Sequence, residues 1–342
     1  MFGIHTGNLF RSLKTHGQRL KQSLQNVQLT KNVQQQRSIE HQITVRKVQF
    51  DWQDTPIDWI PKQPFASYFI NEINLILPEG EFWFCRVFHK VLDQINDPVL
   101  KQDVQAFIRQ EALHAKAHDQ ANHHYLNQRG INPQRNLQRM HVLCHQILAD
   151  QPLGVKLPNF LAKNWDLTRL GIIATIEHLT CVTGQYALQN QYWQQLGADP
   201  TLTHLIKWHG AEEVEHRSVA FELYQHFGGS YFSRYLLSAI VTPILFYIWI
   251  DGVAHLMVQD SRFRTKKLHF FKIWICREWY RIAKQHHNQL LPSPFWLIQQ
   301  QLRYLLPHYH PRFEANHDEA LAYLNQMENL LTPCATQHLK AD

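Results

Sequence analysis

The chain has 342 residues, 44% of them apolar, and a formal net charge of +6. That length can bury one large core, with or without an appendage, and sparse Gly and Pro beside abundant Leu, Gln and Ala argue against a fold of short strands. The mild basic balance (pI ≈ 9.0) comes without a nucleic-acid-binding motif, so no nucleic-acid partner is expected, and the five cysteines (Cys85, Cys144, Cys181, Cys276, Cys334) form no CxxC pair, which fits free thiols in a reducing, cytoplasmic setting and argues against a cysteine-ligated zinc site.

Residues 1–50 are rich in Gln, Lys and Arg, and Glu40 is their first acid. They lack a continuous apolar run, so no secretory signal is expected. They read as a flexible basic leader, with a basic amphipathic surface helix or a transit-type segment as alternatives. Pro56, Pro61 and Pro64 mark an irregular stretch. Helical periodicity then predicts a first long helix from about Tyr68 to Ile95, kinked near Pro78. Asn96-Asp97-Pro98 is a turn in which Asp97 can cap and Pro98 suits the first helical position. The second helix is expected to end near Gln128, before Arg129-Gly130, and a shorter one covers about 133–149. The third runs from about Pro158 to Tyr192. The turn Gly197-Ala-Asp-Pro200 opens a fourth, which ends near Phe227 before Gly228-Gly229. Residues 51–230 thus read as the helix bundle.

The character changes in 231–330. Tyr235 to Ile250 is uncharged, bounded by Arg234 and Asp251, and contains Pro243. A membrane span needs about 20 residues, so 235–258 reads either as a buried helix or as a peripheral membrane contact. A basic cluster follows (Arg262, Arg264, Lys266, Lys267). The aromatic, helical remainder is broken by Pro292, Pro294, Pro307 and Pro311, and 331–342 is a tail.

Two segments read Glu-x-x-His: Glu111-Ala-Leu-His114 and Glu213-Val-Glu-His216. Residues three apart share a helix face, so each pair offers a carboxylate and an imidazole to one point. Iron, manganese and zinc accept that donor set. Either motif alone is weak, and a third copy, Glu314-Ala-Asn-His317, lies in the Pro-broken region. The arrangement is stronger. In helix order the chain presents Glu81, then Glu111 and His114, then Glu177, then Glu213 and His216, which is the pattern of a carboxylate-bridged site for two divalent metals in a ferritin-like four-helix bundle. Glu81 and Glu111 stand at similar distances, roughly 21 Å, either side of the Asn96–Asp97 turn. Glu177 and Glu213 match in level only if the third helix ends early or bulges. Glu81 and Glu177 also sit among apolar neighbours, where an unpaired carboxylate is costly. His118, Glu212 and His209 are expected to support the ligands from outside, with Glu212 able to replace Glu213. His178 and Glu215 are expected at the surface. The fold expected is all-α, a ferritin-like bundle with additional C-terminal helices.

The blocks Arg109-Gln-Glu111-Ala-Leu-His114-Ala-Lys-Ala-His118 and Glu212-Glu213-Val-Glu215-His216-Arg217-Ser-Val-Ala-Phe221 resemble a bacterial family described as predicted metal-dependent hydrolases. The resemblance covers about residues 45–320. Tyr309-His-Pro311-Arg-Phe313 is similar to that family's C-terminal Pro-x-Phe element, although Glu314-Ala-Asn316 departs from the His-Pro-Trp expected after it. The resemblance implies hydrolysis by a metal-activated hydroxide. The helix pattern itself leads to the main expectation, two irons (manganese or zinc as alternatives) that activate dioxygen against an apolar or lipid-like small molecule, with hydrolysis as its alternative. A non-enzymatic iron-binding bundle is the third reading. No G-x-S-x-G or HExxH segment supplies a separate hydrolytic machinery.

Overall fold

The structure, a computed structural model, describes residues 43–52, 54–126, 130–263 and 268–331, and every regular element among them is helical. The basic leader up to residue 42, Arg264, Lys266, Lys267 and the tail from 332, with Cys334, lie outside the described residues. Helix α1 is Pro64–Asn71, α2 Ile73–Val91, α3 Pro98–Ala121, α4 Gln134–Val142 and α5 Asn159–Gln189. They are followed by α6 (Tyr192–Gln195), α7 (Pro200–His216), α8 (Val219–His226), α9 (Tyr231–Met257), α10 (Leu268–Gln285), α11 (Pro294–Tyr304) and α12 (His317–Leu331). Single π-helical stretches extend α3 over Asn122–Leu126 and α4 over Leu143–Ile147.

The helix starts use the caps that the sequence offers. Asp97 accepts from the N–H groups of Val99 (2.9 Å) and Leu100 (3.2 Å), and Asp199 accepts from that of Leu202 (2.9 Å). Three boundaries differ from expectation. The first long helix breaks at Glu72, not at Pro78, which remains inside α2. Having no N–H, Pro78 leaves the Asn74 carbonyl without its helical donor. The side-chain amide of Asn122 donates to that carbonyl instead. Helix α5 stops at Gln189, where the Asn190 side chain accepts from the N–H groups of Tyr192 (2.9 Å) and Trp193 (3.2 Å). The fourth helix is divided into α7 and α8 at Arg217–Ser218, where Arg217 turns back to donate to the Val214 carbonyl (2.6 Å).

Helices α2 and α3 pack as one pair, and α5 packs against α7 and α8 as the other. Phe88 and Phe107 stack across the first pair with ring centres 4.8 Å apart. The second pair closes on glycine. A Cβ on Gly184 would lie 2.7 Å from the Gly210 carbonyl oxygen, and one on Gly210 would lie 2.7 Å from the Gly184 Cα. The C-terminal helices lie directly on these pairs: α9 and α11 on α5, α12 on α7. By length and composition α9 can cross a membrane, yet Val241, Ile248 and Val253 on it are buried in protein. Its Asp251 is paired with Arg139, Arg135 and Lys272.

Gly210→Ala should therefore force α5 and α7 apart and destabilise the protein by about 1–3 kcal/mol, the usual cost of overpacking. Gly80→Ala, with open space around its α-carbon, should be neutral or slightly stabilising, because alanine suits a helix better. Equal denaturant midpoints for the two variants would show that the glycine contact does not set the helix spacing.

Candidate metal centre

The two helix pairs bring Glu81, Glu111, His114, Glu177, Glu213 and His216 together in the interior, each almost completely buried. Two groups of donors result. Glu111, Glu177, Glu213 and His216 surround one point, and Glu81, His114, His209 and Glu213 surround the other. His216 Nε2 lies 3.3 Å from one oxygen each of Glu111, Glu177 and Glu213. His114 Nδ1 lies 3.4 Å from a Glu111 oxygen and 3.9 Å from a Glu213 oxygen. Glu111 and Glu213 thus stand between the two imidazoles, as the helical i,i+3 spacing requires.

Outside this cluster, partners fix the rings. His114 Nε2 donates to Glu212 (2.9 Å), which turns Nδ1 inward. Glu212 therefore meets the His114 ring on the side away from Glu111. His216 Nδ1 donates to the Gln110 side-chain oxygen (3.1 Å), and the Gln110 amide donates to Glu215 (2.7 Å) and the Thr44 carbonyl (3.0 Å). Glu215, expected at the surface, is buried because Arg46 crosses over it with contacts of 2.9 and 3.1 Å and also reaches Glu212 at 3.4 Å. His178, also expected at the surface, is buried between the Tyr309 hydroxyl (2.8 Å) and the Gln300 carbonyl (3.0 Å), and burial lowers it to about 4. The C-terminal helices cover the face that the sequence alone leaves open. Glu314 pairs with Arg303 (2.9 Å) and His317 approaches Arg217, so the third Glu-x-x-His stays outside the cluster. Arg46, Gln110, Thr180 and Asn74 were not anticipated. Thr180, whose hydroxyl donates to Glu213, lies three residues after Glu177, so it shares that helix face. Arg46 and Gln110 carry no local sequence signal.

His118 and His209 form a chain. His209 Nε2 donates to Glu213 (2.7 Å), His118 Nε2 donates to His209 Nδ1 (2.6 Å), and His118 Nδ1 lies 2.7 Å from the atom placed as the Asn74 side-chain oxygen. The order of donors closes when Asn74 presents its amide nitrogen to His118, and that nitrogen has no other partner. Beside this chain lies an apolar cavity of about 210 Å³, with His118, His209, Glu213 and Thr180 on the wall nearest the cluster.

Electrostatics follow from burial. Burial pushes the Glu81 carboxyl well above its ordinary range, reinforced by the Glu111 charge, and it does the same to Glu177, reinforced by Glu213. Burial opposes protonation of His114, but the Glu111 and Glu212 carboxylates outweigh it and raise this imidazole well above its usual value. Glu213 and Glu177 do the same for His216. Burial also acts upward on Glu213, yet His216 and His209 hold it well below the usual carboxylate range. Burial lowers His118 and His209, and neighbouring imidazoles add to the effect.

The donor atoms fit a cation. Both oxygens of Glu81, Glu111 and Glu177, together with His114 Nδ1 and His216 Nε2, are buried without a hydrogen-bond partner and face the two points. A second, exposed group is simpler: Glu79 contacts His141 (3.3 Å) and His145 (2.9 Å) between α2 and α4.

A helical protein that encloses carboxylates and imidazoles in this way has the construction of a metal-dependent enzyme. The sequence model of the family described as predicted metal-dependent hydrolase matches residues 44–315, and the chain belongs to that family. Searches of curated proteins and of solved structures find no match.

Above about pH 6.5, the contributions of the lowered groups (Glu213, His118, His209) are complete, because their unfolded forms have already lost the proton. The raised groups (Glu81, Glu177, His114, His216) hold a proton more tightly when folded, so their contribution is lost as pH rises. Chelator-treated protein should therefore melt at progressively lower temperature from about pH 7 to about pH 9. Added divalent metal should flatten that slope. A chelated protein whose melting temperature rises over this window would contradict the assignment.

Proposed function

We propose that the chain is a hydrolase of ferritin-like, di-metal construction that cleaves an ester-type bond in an apolar small molecule. The observation that carries this reading is the set of buried, partnerless donor atoms beside an apolar cavity in a chain of a metal-dependent hydrolase family. Glu81, Glu111, His114, Glu177, Glu213 and His216 would hold two divalent ions. When bound, such a pair lowers the pKa of a water molecule and neutralises charge that builds on the scissile group.

The protein's own residues would do the remaining work. Gln110 and Glu212 keep one nitrogen of each ligand imidazole turned inward. His209, neutral by burial and facing the cavity, keeps its Nε2 proton on Glu213 and would take up a further proton at Nδ1 as His118 turns away, becoming an imidazolium beside the Glu213 carboxylate. The apolar walls exclude water other than the reacting one and orient the greasy part of the substrate.

One observation favours a second reading. Carboxylate-rich donors beside a cavity lined chiefly by Leu, Ile, Phe and Trp side chains also suit iron and the oxidation of a hydrocarbon by dioxygen. Metal identity and oxygen uptake separate the two.

Protein purified without added metal or chelator should contain two divalent ions per chain by elemental analysis. Glu111→Ala/Glu213→Ala should lose both, whereas His141→Ala/His145→Ala should keep them. Absence of metal even after reconstitution would refute the centre.

His209→Gln should lower kcat on p-nitrophenyl esters of medium-chain acids by about 10²-fold or more while KM changes little. Iron with substrate-dependent oxygen uptake and no ester cleavage would instead decide for the oxidative reading.

A further inference from the structure

The cavity does not end at the cluster. It runs from the Glu213–His209 wall between α2, α5 and α7 to Leu245, Phe246 and Trp249 on α9, Trp279 on α10, and Leu291, Pro292 and Leu297 before and within α11. The residues beside that far end face outward. On α9, Phe232, Leu236, Ile240, Ile244 and Tyr247 recur at spacings of four, four, four and three and are all exposed, Phe232 to 73%. That spacing is one helix face. On α11, Phe295, Ile298 and Leu302 form a second exposed face, continued by Leu306.

The two faces are adjacent. Gln301 donates to Ser238 (2.6 Å), Tyr231 to the Leu305 carbonyl (3.0 Å) and Arg234 to the Leu306 carbonyl (2.8 Å), so the start of α9 lies beside the end of α11. Exposed apolar side chains in such number are not scattered surface residues but an interaction face.

Charge identifies what covers it. The segment 231–313, which carries both faces, has eleven Lys and Arg against Asp251, Asp260 and Glu278, a net +8. The whole chain is +6, so everything outside the segment sums to −2. Positive charge is thus concentrated on the part of the sequence that bears the apolar face, which is the composition of an interfacial contact with anionic lipid. A partner protein of unstated charge would not require that concentration.

We propose that the face formed by α9 and α11 docks on an anionic membrane leaflet, and that a long single acyl chain enters the cavity beside Leu245 and Leu297, its polar end at the Glu213–His209 wall. The acyl-chain assignment rests on the reading that the buried cluster acts on a substrate in this cavity. Docking does not depend on turnover. A dry apolar cavity of about 150 Å³ in a protein core already binds benzene, so an apolar cavity of about 210 Å³ can hold hydrocarbon.

The test uses the full chain and two probes. Sedimentation with phosphatidylcholine vesicles, with and without about one third phosphatidylglycerol, should show binding to the anionic vesicles that weakens with salt. Ile240→Glu/Ile244→Glu/Ile298→Glu should weaken it at least about tenfold, with melting temperature and metal content unchanged. A variant that binds as tightly as the native protein, or a native protein that binds neither vesicle, would overturn the docking face. So would a concentration-dependent oligomer in sedimentation velocity that the same variant dissociates without any vesicle binding, because the face would then join two copies.

In the second arm, dibromostearate should quench tryptophan fluorescence, palmitate should reverse the quenching and acetate should not. Trp249→Phe/Trp279→Phe should remove at least about half of it. No quenching, or quenching untouched in that variant, would overturn the acyl-chain site. Neither probe requires catalysis, so failed ester hydrolysis would count against the proposed function alone.

Discussion

Buried polar atoms without hydrogen bonds are the constraint on which this structure turns. Eight buried donor atoms, the six oxygens of Glu81, Glu111 and Glu177 and one nitrogen each of His114 and His216, have no hydrogen-bond partner. An unsatisfied buried polar atom costs about 1–3 kcal/mol. Eight of them would rival the entire stability of an ordinary domain, about 5–15 kcal/mol. Protonation of Glu81 and Glu177 relieves part of this, as their raised affinity for protons indicates. It leaves the remaining atoms facing one another at 3.3–3.4 Å, too far for good hydrogen bonds. Metal coordination would satisfy them together. The helices are accordingly packed around a polar centre that the apolar core alone would never favour.

Such a centre holds its shape only if the ring and carboxylate orientations are imposed from outside. Arg46 contributes most from furthest away in sequence. It lies before α1, yet it binds Glu215 and Glu212, two acids that flank Glu213 on α7. Through Glu212 it bears on the His114 ring, and through Glu215 and Gln110 on the His216 ring. One guanidinium therefore offsets two buried carboxylates that fix the orientation of the two imidazoles in the cluster. Removing it would leave both acids uncompensated in a low-dielectric interior, the situation in which breaking a buried pair is most damaging.

This division explains what was readable in the sequence. Helix periodicity decides which residues share a face, so Glu111 with His114 and Glu213 with His216 could be paired from spacing alone. The turn at Asn96–Asp97 gave the level of Glu81 against Glu111, and the early end of α5 at Gln189, required for Glu177, is present. Tertiary partners were not readable. His178 and Glu215 looked like surface positions because their own helices leave that face open, and only Tyr309, Gln300 and Arg46, far off in sequence, close it. The break at Glu72 was missed for a related reason. Pro78 was expected to bend α2, but Asn122 on the π-helical end of α3 takes over the freed Asn74 carbonyl, and the helix continues.

The same Asn74 is tied to the centre through the histidine pair. Its backbone carbonyl accepts from Asn122 because of Pro78, and its side chain faces His118, which is bonded through His209 to Glu213. A proline in α2, a π-helical stretch after α3 and a histidine pair on α3 and α7 thus form one connected arrangement. A π-helical stretch commonly marks a functional site, since it costs regular hydrogen bonding. Here the π-helical stretch begins at Asn122, whose own N–H still bonds to the His118 carbonyl, so His118 and Asn122 sit one regular turn apart and both face Asn74. The carbonyl that Pro78 frees in α2 therefore holds Asn122, the Asn74 side chain meets His118 one turn earlier on α3, and through His209 this contact extends to a carboxylate of the centre on the cavity wall.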